Sequence, residues 1–164
     1  MSAQEKLAAG IRECRLHADV LQEARTELGE FRFTINSVDE MTTDKRRLLD
    51  QMAYRFSKLQ DSMGMKILPG LLELTEEPFP ENATFAEKLQ RLERLGAIAD
   101  VNQWRMLREL RNQLSHEYEN APSLKAAVLN RFLDGVHELL KIWETAVTYY
   151  DGYSGQQNGA PTER

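Results

Sequence analysis

A short run near the middle of the chain, residues 111–118, combines side chains that are able to act on a phosphodiester. It reads Arg-Asn-Gln-Leu-Ser-His-Glu-Tyr. Arg111 supplies a permanent cation that binds phosphate through two parallel hydrogen bonds. His116 supplies an imidazole that titrates near neutral pH, and Tyr118 adds a phenol that forms hydrogen bonds. Together these residue types indicate phosphate binding coupled to proton transfer.

The spacing of this run sets a condition on the chemistry. Arg111 lies at the edge of the apolar stripe of its predicted helix, and His116 follows five residues later, which is roughly 140° around a regular helix. The two side chains therefore converge only if the helix ends near Ser115 or if a second chain supplies the other half. An arginine beside an apolar stripe is also typical of a snorkelling surface residue or a structural ion-pair partner.

The rest of the chain is patterned as helices that would position this run. Apolar residues recur at helical spacing, and the pattern is divided by N-cap residues, glycines and prolines. A kink or break inside the second helix is predicted near Gly64 and Pro69-Gly70. The helices are predicted over about residues 2–28, 42–74, 84–95, from 100 through the motif, and 122–150. This predicts an all-α fold, a four- to five-helix up-and-down bundle over residues 1–150, followed by a flexible C-terminal tail over 151–164.

Composition restricts the class of protein. The 164 residues are 29% charged and 41% hydrophobic, as in an ordinary globular domain. No apolar run reaches the roughly 20 residues of a membrane span, so no membrane partner is expected. The N-terminus lacks the layout of a secretory signal and Cys14 is the single cysteine, so a cytoplasmic location is expected. The net charge of -5 argues against broad nonspecific binding of nucleic acids, while leaving room for a local basic cleft.

The run from Arg111 to Tyr118 resembles the signature of the HEPN superfamily. That signature is an arginine, a polar residue that is often asparagine, a short spacer and a histidine. With Tyr118 it takes the Arg-x4-His-x-Tyr form of HEPN toxins that are paired with minimal nucleotidyltransferases. These domains are also small helical bundles in which one long helix follows the motif, so the resemblance covers most of residues 1–150.

The resemblance implies a homodimer in which two motifs face each other across a cleft that cleaves RNA without metal or cofactor. Arg111 and His116 would be catalytic, and Asn112 and Tyr118 would bind the substrate. RNA carries its own nucleophile, the 2′-hydroxyl, so no covalent protein intermediate is required. The implied partner is a minimal nucleotidyltransferase antitoxin, and Tyr118 is the position at which such partners attach adenylyl groups. The alternative for Tyr118 is a structural role, as a tyrosine at the rim that packs on Leu114.

Two other functions fit the same residues. The chain would instead be a non-catalytic nucleotide- or substrate-binding partner of a minimal nucleotidyltransferase, or a helical scaffold in which the motif is incidental. A basic stretch from Lys45 to Lys58 is able to line an RNA groove, although a solvated helical face explains it equally well. Cys14 is expected to be a buried thiol, and His17 and His137 lack neighbours at metal-ligand spacing.

Overall fold

The computed structural model describes residues 1–75, 80–114 and 122–158, and of residues 122–124 and 155–158 it describes the backbone alone. These residues form α-helices joined by short connections, and no β-strand occurs among them. The predicted all-α helical bundle is therefore confirmed.

Seven α-helices occur in the described parts of the chain, four of them with 14 or more residues. A π-helical turn, Met63–Ile67, joins the third helix to the fourth. In chain order the helices are α1 (Ala3–Leu28), α2 (Ile35–Asp39), α3 (Thr43–Ser62), α4 (Leu68–Leu74), α5 (Phe85–Leu95), α6 (Val101–Leu114) and α7 (Pro122–Asn158).

Local capping chemistry explains where α1 begins and ends. The Ser2 hydroxyl accepts a hydrogen bond from the Glu5 amide, and the Glu5 carboxylate accepts one from the Ser2 amide, so two N-terminal donors are satisfied reciprocally. Gly29 follows the last turn with a φ of 72°, a left-handed conformation that side chains other than glycine seldom adopt. Both ends were predicted from residue type and are confirmed.

The kink or break predicted in the second helical segment corresponds to an irregular π-helical turn, and the helical chain is not interrupted there. The π-helical turn carries one extra residue around Gly64, and Pro69 lies in the first turn of α4, where its missing amide hydrogen costs no helical hydrogen bond. The chain thus continues from α3 into α4 with an irregular turn between them.

Caps likewise define α5 and α6, which lead to the motif. The Thr84 hydroxyl accepts a hydrogen bond from the Glu87 amide at the start of α5, and Gly96 ends that helix in the left-handed region, with a φ of 84°. An oxygen of Asp100 accepts a hydrogen bond from the Asn102 amide at 2.8 Å, so α6 begins where the sequence predicts.

Helices α1 and α3 pack antiparallel over most of their length. His17 contacts Arg55, while Glu13, one turn earlier in α1, contacts Ser62, two turns later in α3. The core formed by these helices with α6 and α7 is continuous. Its largest fully buried side chains are Leu21, Met52, Phe56, Leu59, Met63, Ile67, Leu68, Leu71, Leu92, Ile98, Leu107 and Phe132.

Helix α7 crosses α6 closely at a glycine. A Cβ atom at Gly135 would lie 2.5 Å from Leu110 Cδ2 and 3.4 Å from Leu107 Cδ2. The absence of a side chain at this position therefore permits the close approach of α7 to the apolar face of the helix that carries the motif.

The last helix is longer than the sequence indicates. Helix α7 continues to Asn158, whereas the helix was expected to end near residue 150 and to give way to a frayed tail from Gly152. Glycine lowers helix propensity by only about 1 kcal/mol, and a long helix tolerates that cost once its preceding turns are packed. Residues 159–164 lie outside the described part of the chain.

Candidate functional site

Helix α6 holds Arg111 in its last described turn, at the edge of the apolar face. The side chain is 34% exposed, and its Nη2 lies 2.9 Å from Oδ2 of Asp61 on α3. The edge position predicted for Arg111 is therefore observed, and so is the ion pair that the sequence allows as an alternative. A structural role and a phosphate-binding role are compatible, because the salt bridge leaves a third of the side chain accessible.

Asp61 accepts a second arginine from the same helix. Nη1 of Arg108 lies 3.0 Å from Asp61 Oδ1, so each carboxylate oxygen is bound to a different guanidinium group. We call Asp61, Arg108 and Arg111 the arginine cluster. It carries a net charge of about +1, because two cations share one carboxylate. It also ties α6 to α3 and fixes the direction in which Arg111 points.

Buried polar atoms of Arg111 and of Gln60, the residue before Asp61 in sequence, have no hydrogen-bond partner in the described part of the chain. They are Nε of Arg111 and both polar side-chain atoms of Gln60, whose side chain is fully buried. Burial of an unpaired polar group costs roughly 1–3 kcal/mol.

Of the other predicted site residues, the structure describes Asn112 but not His116 or Tyr118. Asn112 is exposed on α6, next to Arg111. His116 and Tyr118 lie outside the described residues, as does the whole connection from 115 to 121. The predicted convergence of Arg111 and His116 therefore stays a prediction.

A cavity of about 350 Å³ opens beside the arginine cluster, between the π-helical turn, α5 and α6. Asp61 and Arg108 form part of its wall, so the cavity and the cluster share residues. Sequence reasoning did not identify Asp61, Arg108 or this cavity as part of a site. The signal was the spacing of Arg105, Arg108 and Arg111, which repeats every three residues and makes each arginine a neighbour of the next on the surface of α6.

The basic stretch on α3 makes local contacts. The Lys45 ammonium lies 3.6 Å from the centre of the Phe31 ring, and Lys58 and Arg55 lie 5.7 and 5.6 Å from the centre of the Tyr54 ring. These are distances at which a cation is attracted to an aromatic face. The contacts support the interpretation of this stretch as a helical face with structural roles.

Cys14 and His17 belong to the core side of α1. Cys14 is fully buried, and burial raises the pKa of its thiol to about 12, with the Glu13 carboxylate adding to the rise. The prediction of a plain buried thiol is confirmed. Burial also lowers the pKa of His17, and the Arg55 cation lowers it further. Since Arg55 Nη1 donates to His17 Nδ1 at 3.0 Å, His17 is a neutral acceptor at that atom.

A larger cavity lies elsewhere on the bundle. It has a volume of about 830 Å³ and is bounded by the end of α1, the loop that follows, α3 and α7. Its wall includes His137 and an ion pair between Arg32 and Asp134, but no residue of the arginine cluster. It is therefore separate from the site that the motif predicts.

Two features are absent from the described residues, a metal-binding group of side chains and a membrane-spanning helix. These residues contain no group of three His, Cys, Asp or Glu side chains arranged to hold a metal ion. None of their helices combines the length and the apolar character that a membrane crossing requires.

Comparison of the chain with protein-family models, curated proteins and solved structures found no match. The resemblance to the HEPN superfamily accordingly stays a prediction from the motif and its helical context.

Proposed function

We propose that this chain is a HEPN-type ribonuclease toxin that cleaves RNA without a metal ion, using Arg111 and His116 in the cleft of a homodimer. One observation carries the proposal. Arg111 is held by Asp61 in the last described turn of α6 with a third of its side chain accessible, immediately before the segment that carries His116. An oriented and partly exposed guanidinium at this position is what phosphate binding requires.

The reaction follows from these residue types. A neutral His116 accepts the proton of the ribose 2′-hydroxyl, and the 2′-oxygen then bonds to the adjacent phosphorus. The bond from phosphorus to the 5′-oxygen breaks, and a protonated imidazole, such as His116 of the partner subunit, donates a proton to the departing oxygen. The products are a 2′,3′-cyclic phosphate and a free 5′-hydroxyl.

Arg111 would stabilise the charge that accumulates on the phosphoryl oxygens. A guanidinium that is already oriented does so without rearranging during the reaction. The salt bridge to Asp61 provides this orientation, since it holds Nη2 of Arg111, and although Nε is buried, a third of the side chain remains accessible. Asn112 would contact the phosphate or orient Arg111.

The proposed partner is a minimal nucleotidyltransferase acting as the antitoxin, and Tyr118 is the proposed point of control. An adenylyl group on the Tyr118 hydroxyl would bring a negative phosphate close to Arg111 and occupy the path of the RNA strand. Peptide mass mapping after incubation with the cognate nucleotidyltransferase and ATP should locate the added group on Tyr118. A mass gain on Tyr149, Tyr150 or Tyr153 instead would contradict this assignment.

A second function is supported by the same contact. If the pairing with Asp61 leaves Arg111 too strongly neutralised to act on a phosphate, the chain would be a non-catalytic nucleotide- or substrate-binding partner of the nucleotidyltransferase. The two functions make opposite predictions for isolated protein, because the second predicts binding of nucleotides without cleavage of RNA.

Expression of the chain alone tests whether it acts as a toxin. We expect induction in a bacterial host to arrest growth and to fragment cellular RNA, and we expect the His116→Ala variant, expressed to the same level, to do neither. The His116→Ala variant should unfold at the same temperature as the parent, in which case a loss of effect reports chemistry and not loss of the fold. Normal growth with intact RNA at confirmed soluble expression would count against the toxin.

A further inference from the structure

The cavity beside the arginine cluster has one apolar side that is unusually accessible. Met65 of the π-helical turn is 78% exposed and Phe85 at the start of α5 is 43% exposed, and both line the cavity. Large apolar side chains of this exposure, gathered at one concave surface, commonly mark a binding site. The cavity of about 350 Å³ is of the size that small ligands occupy.

The floor of the cavity is aromatic and is shaped by a glycine. Trp104 is 2% exposed and lines the cavity from α6. A Cβ atom at Gly64 would lie 3.4 Å from Trp104 Cζ2, so the missing side chain leaves space over the edge of the indole ring. Gly64 belongs to the π-helical turn, an irregularity that often accompanies functional sites.

The opposite side of the cavity is cationic. Arg105 and Arg108 line it, and Arg111 lies three residues beyond Arg108 on α6, about 60° around the helix from Arg108 and about 120° from Arg105. Each step of three residues advances about 4.5 Å along the helix, so Arg111 lies about 4.5 Å beyond Arg108 and about 9 Å beyond Arg105 along the axis of α6. Asp61 is the acidic residue that lines the cavity beside Arg105 and Arg108, so these three lining residues carry a net charge of about +1 in a chain whose total is -5.

We propose that this cavity binds an unstacked nucleobase of single-stranded RNA, with the adjoining phosphates lying along Arg105 and Arg108 toward Arg111. The inference rests on the proposed ribonuclease function and names how its substrate is held. An aromatic and apolar pocket next to a row of arginines is the combination that holds single-stranded nucleic acid, because bases stack on the rings while phosphates pair with the cations. The cationic rim favours this occupant over an apolar side chain of a partner protein.

The test uses a 2′-O-methyl RNA oligonucleotide, which lacks the nucleophile and cannot be cleaved. Its affinity for the full chain is measured by fluorescence anisotropy at several salt concentrations. We expect Phe85→Ala to weaken binding roughly 5- to 150-fold, the range for loss of one base stacked on an aromatic ring. Arg105→Ala should reduce the slope of log affinity against log salt by about 0.7, as expected for the loss of one phosphate contact to a single strand.

Two matched variants control for surface changes elsewhere. Ile35→Ala truncates an apolar side chain that is 51% exposed on α2, and Arg12→Ala removes an exposed cation from α1. Neither residue lines the cavity, so both variants should bind as the parent does. Thermal unfolding followed by circular dichroism verifies that each variant is folded.

The intrinsic fluorescence of Trp104 gives a direct signal from the cavity. In a Trp143→Phe background Trp104 is the remaining tryptophan of the chain, and bound RNA should quench its emission. An oligonucleotide with abasic positions should bind without this quenching.

Several results would overturn the inference. They are unchanged affinity of folded Phe85→Ala, an unchanged salt slope of Arg105→Ala, and Trp104 emission that RNA does not alter. If Phe85→Ala instead abolishes only the binding of the nucleotidyltransferase, the cavity is a protein interface. Failure of the ribonuclease proposal is distinguishable, because it would appear as absent cleavage of unmodified RNA while these binding effects persist.

Discussion

At the scale of single residues, the contact between Arg111 and Asp61 decides how the motif is interpreted. It joins residues 50 positions apart, and the same carboxylate also binds Arg108. Partly exposed ion pairs of this kind contribute on the order of 0.2–1 kcal/mol each. The contact is therefore too weak to be the main source of stability, whereas it is strong enough to orient a guanidinium.

A double-mutant cycle between Arg111→Ala and Asp61→Asn measures that orientation energy. We expect a coupling of about 0.2–1 kcal/mol in the free energy of unfolding from urea titrations. The control cycle pairs Arg111→Ala with Asp134→Asn, whose partner is Arg32, and it should show no coupling beyond error. A zero coupling to Asp61 would mean that the salt bridge does not position Arg111 in solution.

His17 gives a pH-dependent prediction that is independent of the motif. Burial lowers its pKa from the ordinary 6.5, so the folded chain takes up this proton less readily than the unfolded chain. The unfolded state then binds more protons below pH 6.5, and the free energy of unfolding should fall as the pH decreases from about 7.5 to 5.5. Glu13 faces His17, but its lowered pKa acts below its ordinary value of 4.5 and outside this window.

Urea titrations at several pH values between 5.5 and 7.5 check this prediction. His17→Asn keeps an acceptor for Arg55 and removes the titrating group, so its stability should change less over the interval than that of the parent. His137→Asn, which replaces an exposed histidine on α7, is the matched control. Parent stability that stays constant or rises toward pH 5.5 would contradict the assignment of a neutral, buried His17.

At the scale of elements, the ends of the helices were predictable because capping is local. Ser2, Thr42 and Thr84 accept hydrogen bonds from amides three residues later, and Gly29 and Gly96 adopt the left-handed conformations that end α1 and α5. Each of these depends on residues within one turn of each other.

The contacts between elements were not predictable in the same way. The pairing of Asp61 with Arg111 and the packing of Leu110 on Gly135 depend on how separate helices are arranged. Amphipathic spacing shows which face is buried, but it does not show which helix that face meets. The extension of α7 beyond residue 150 was missed because helix propensity is weak compared with the stability of a helix that is already packed.

Two glycines of α7 provide a matched test of this packing. Gly135→Ala should lower the free energy of unfolding by about 1–2 kcal/mol, since its Cβ would collide with Leu110 near Leu107 and Phe56 while helix propensity improves. Gly152→Ala has no atom within 4 Å and should raise stability by up to about 1 kcal/mol, because residue 152 is helical.

Urea denaturation of both variants against the parent decides the outcome. Equal stability of Gly135→Ala and the parent would mean that α6 and α7 approach less closely than described. A destabilised Gly152→Ala would contradict the helical conformation at that position.

At the scale of the whole molecule, the proposed cleft requires two chains. Arg111 lies in the last described turn of α6, and the proposed cleft is completed by the same segment of a second copy related by a twofold axis. Light scattering at micromolar concentration should therefore give twice the chain mass of 18.9 kDa. A monomer at this concentration would argue against the shared cleft.

A lysine introduced within the motif tests where the dimer interface lies. Gln113 is exposed on α6, and in a twofold interface Gln113→Lys would bring two added cations toward each other and weaken the dimer. Gln90→Lys makes the same change on an exposed position of α5. We expect the first variant to shift toward monomer and the second to remain dimeric, and the reverse pattern would move the interface to α5.

The central claim is that Arg111 and His116 cleave RNA, and the most direct measurement is the single-turnover rate of cleavage by purified protein in excess EDTA. The parent should cleave a labelled single-stranded RNA. His116→Ala should show no cleavage above background, and Arg111→Ala should be slower on the order of 10²-fold or more. Arg94→Ala, an exposed arginine of α5 purified in parallel, should keep the parent rate. Absence of cleavage by the folded parent, or equal rates for the parent and the His116→Ala variant, would contradict the account.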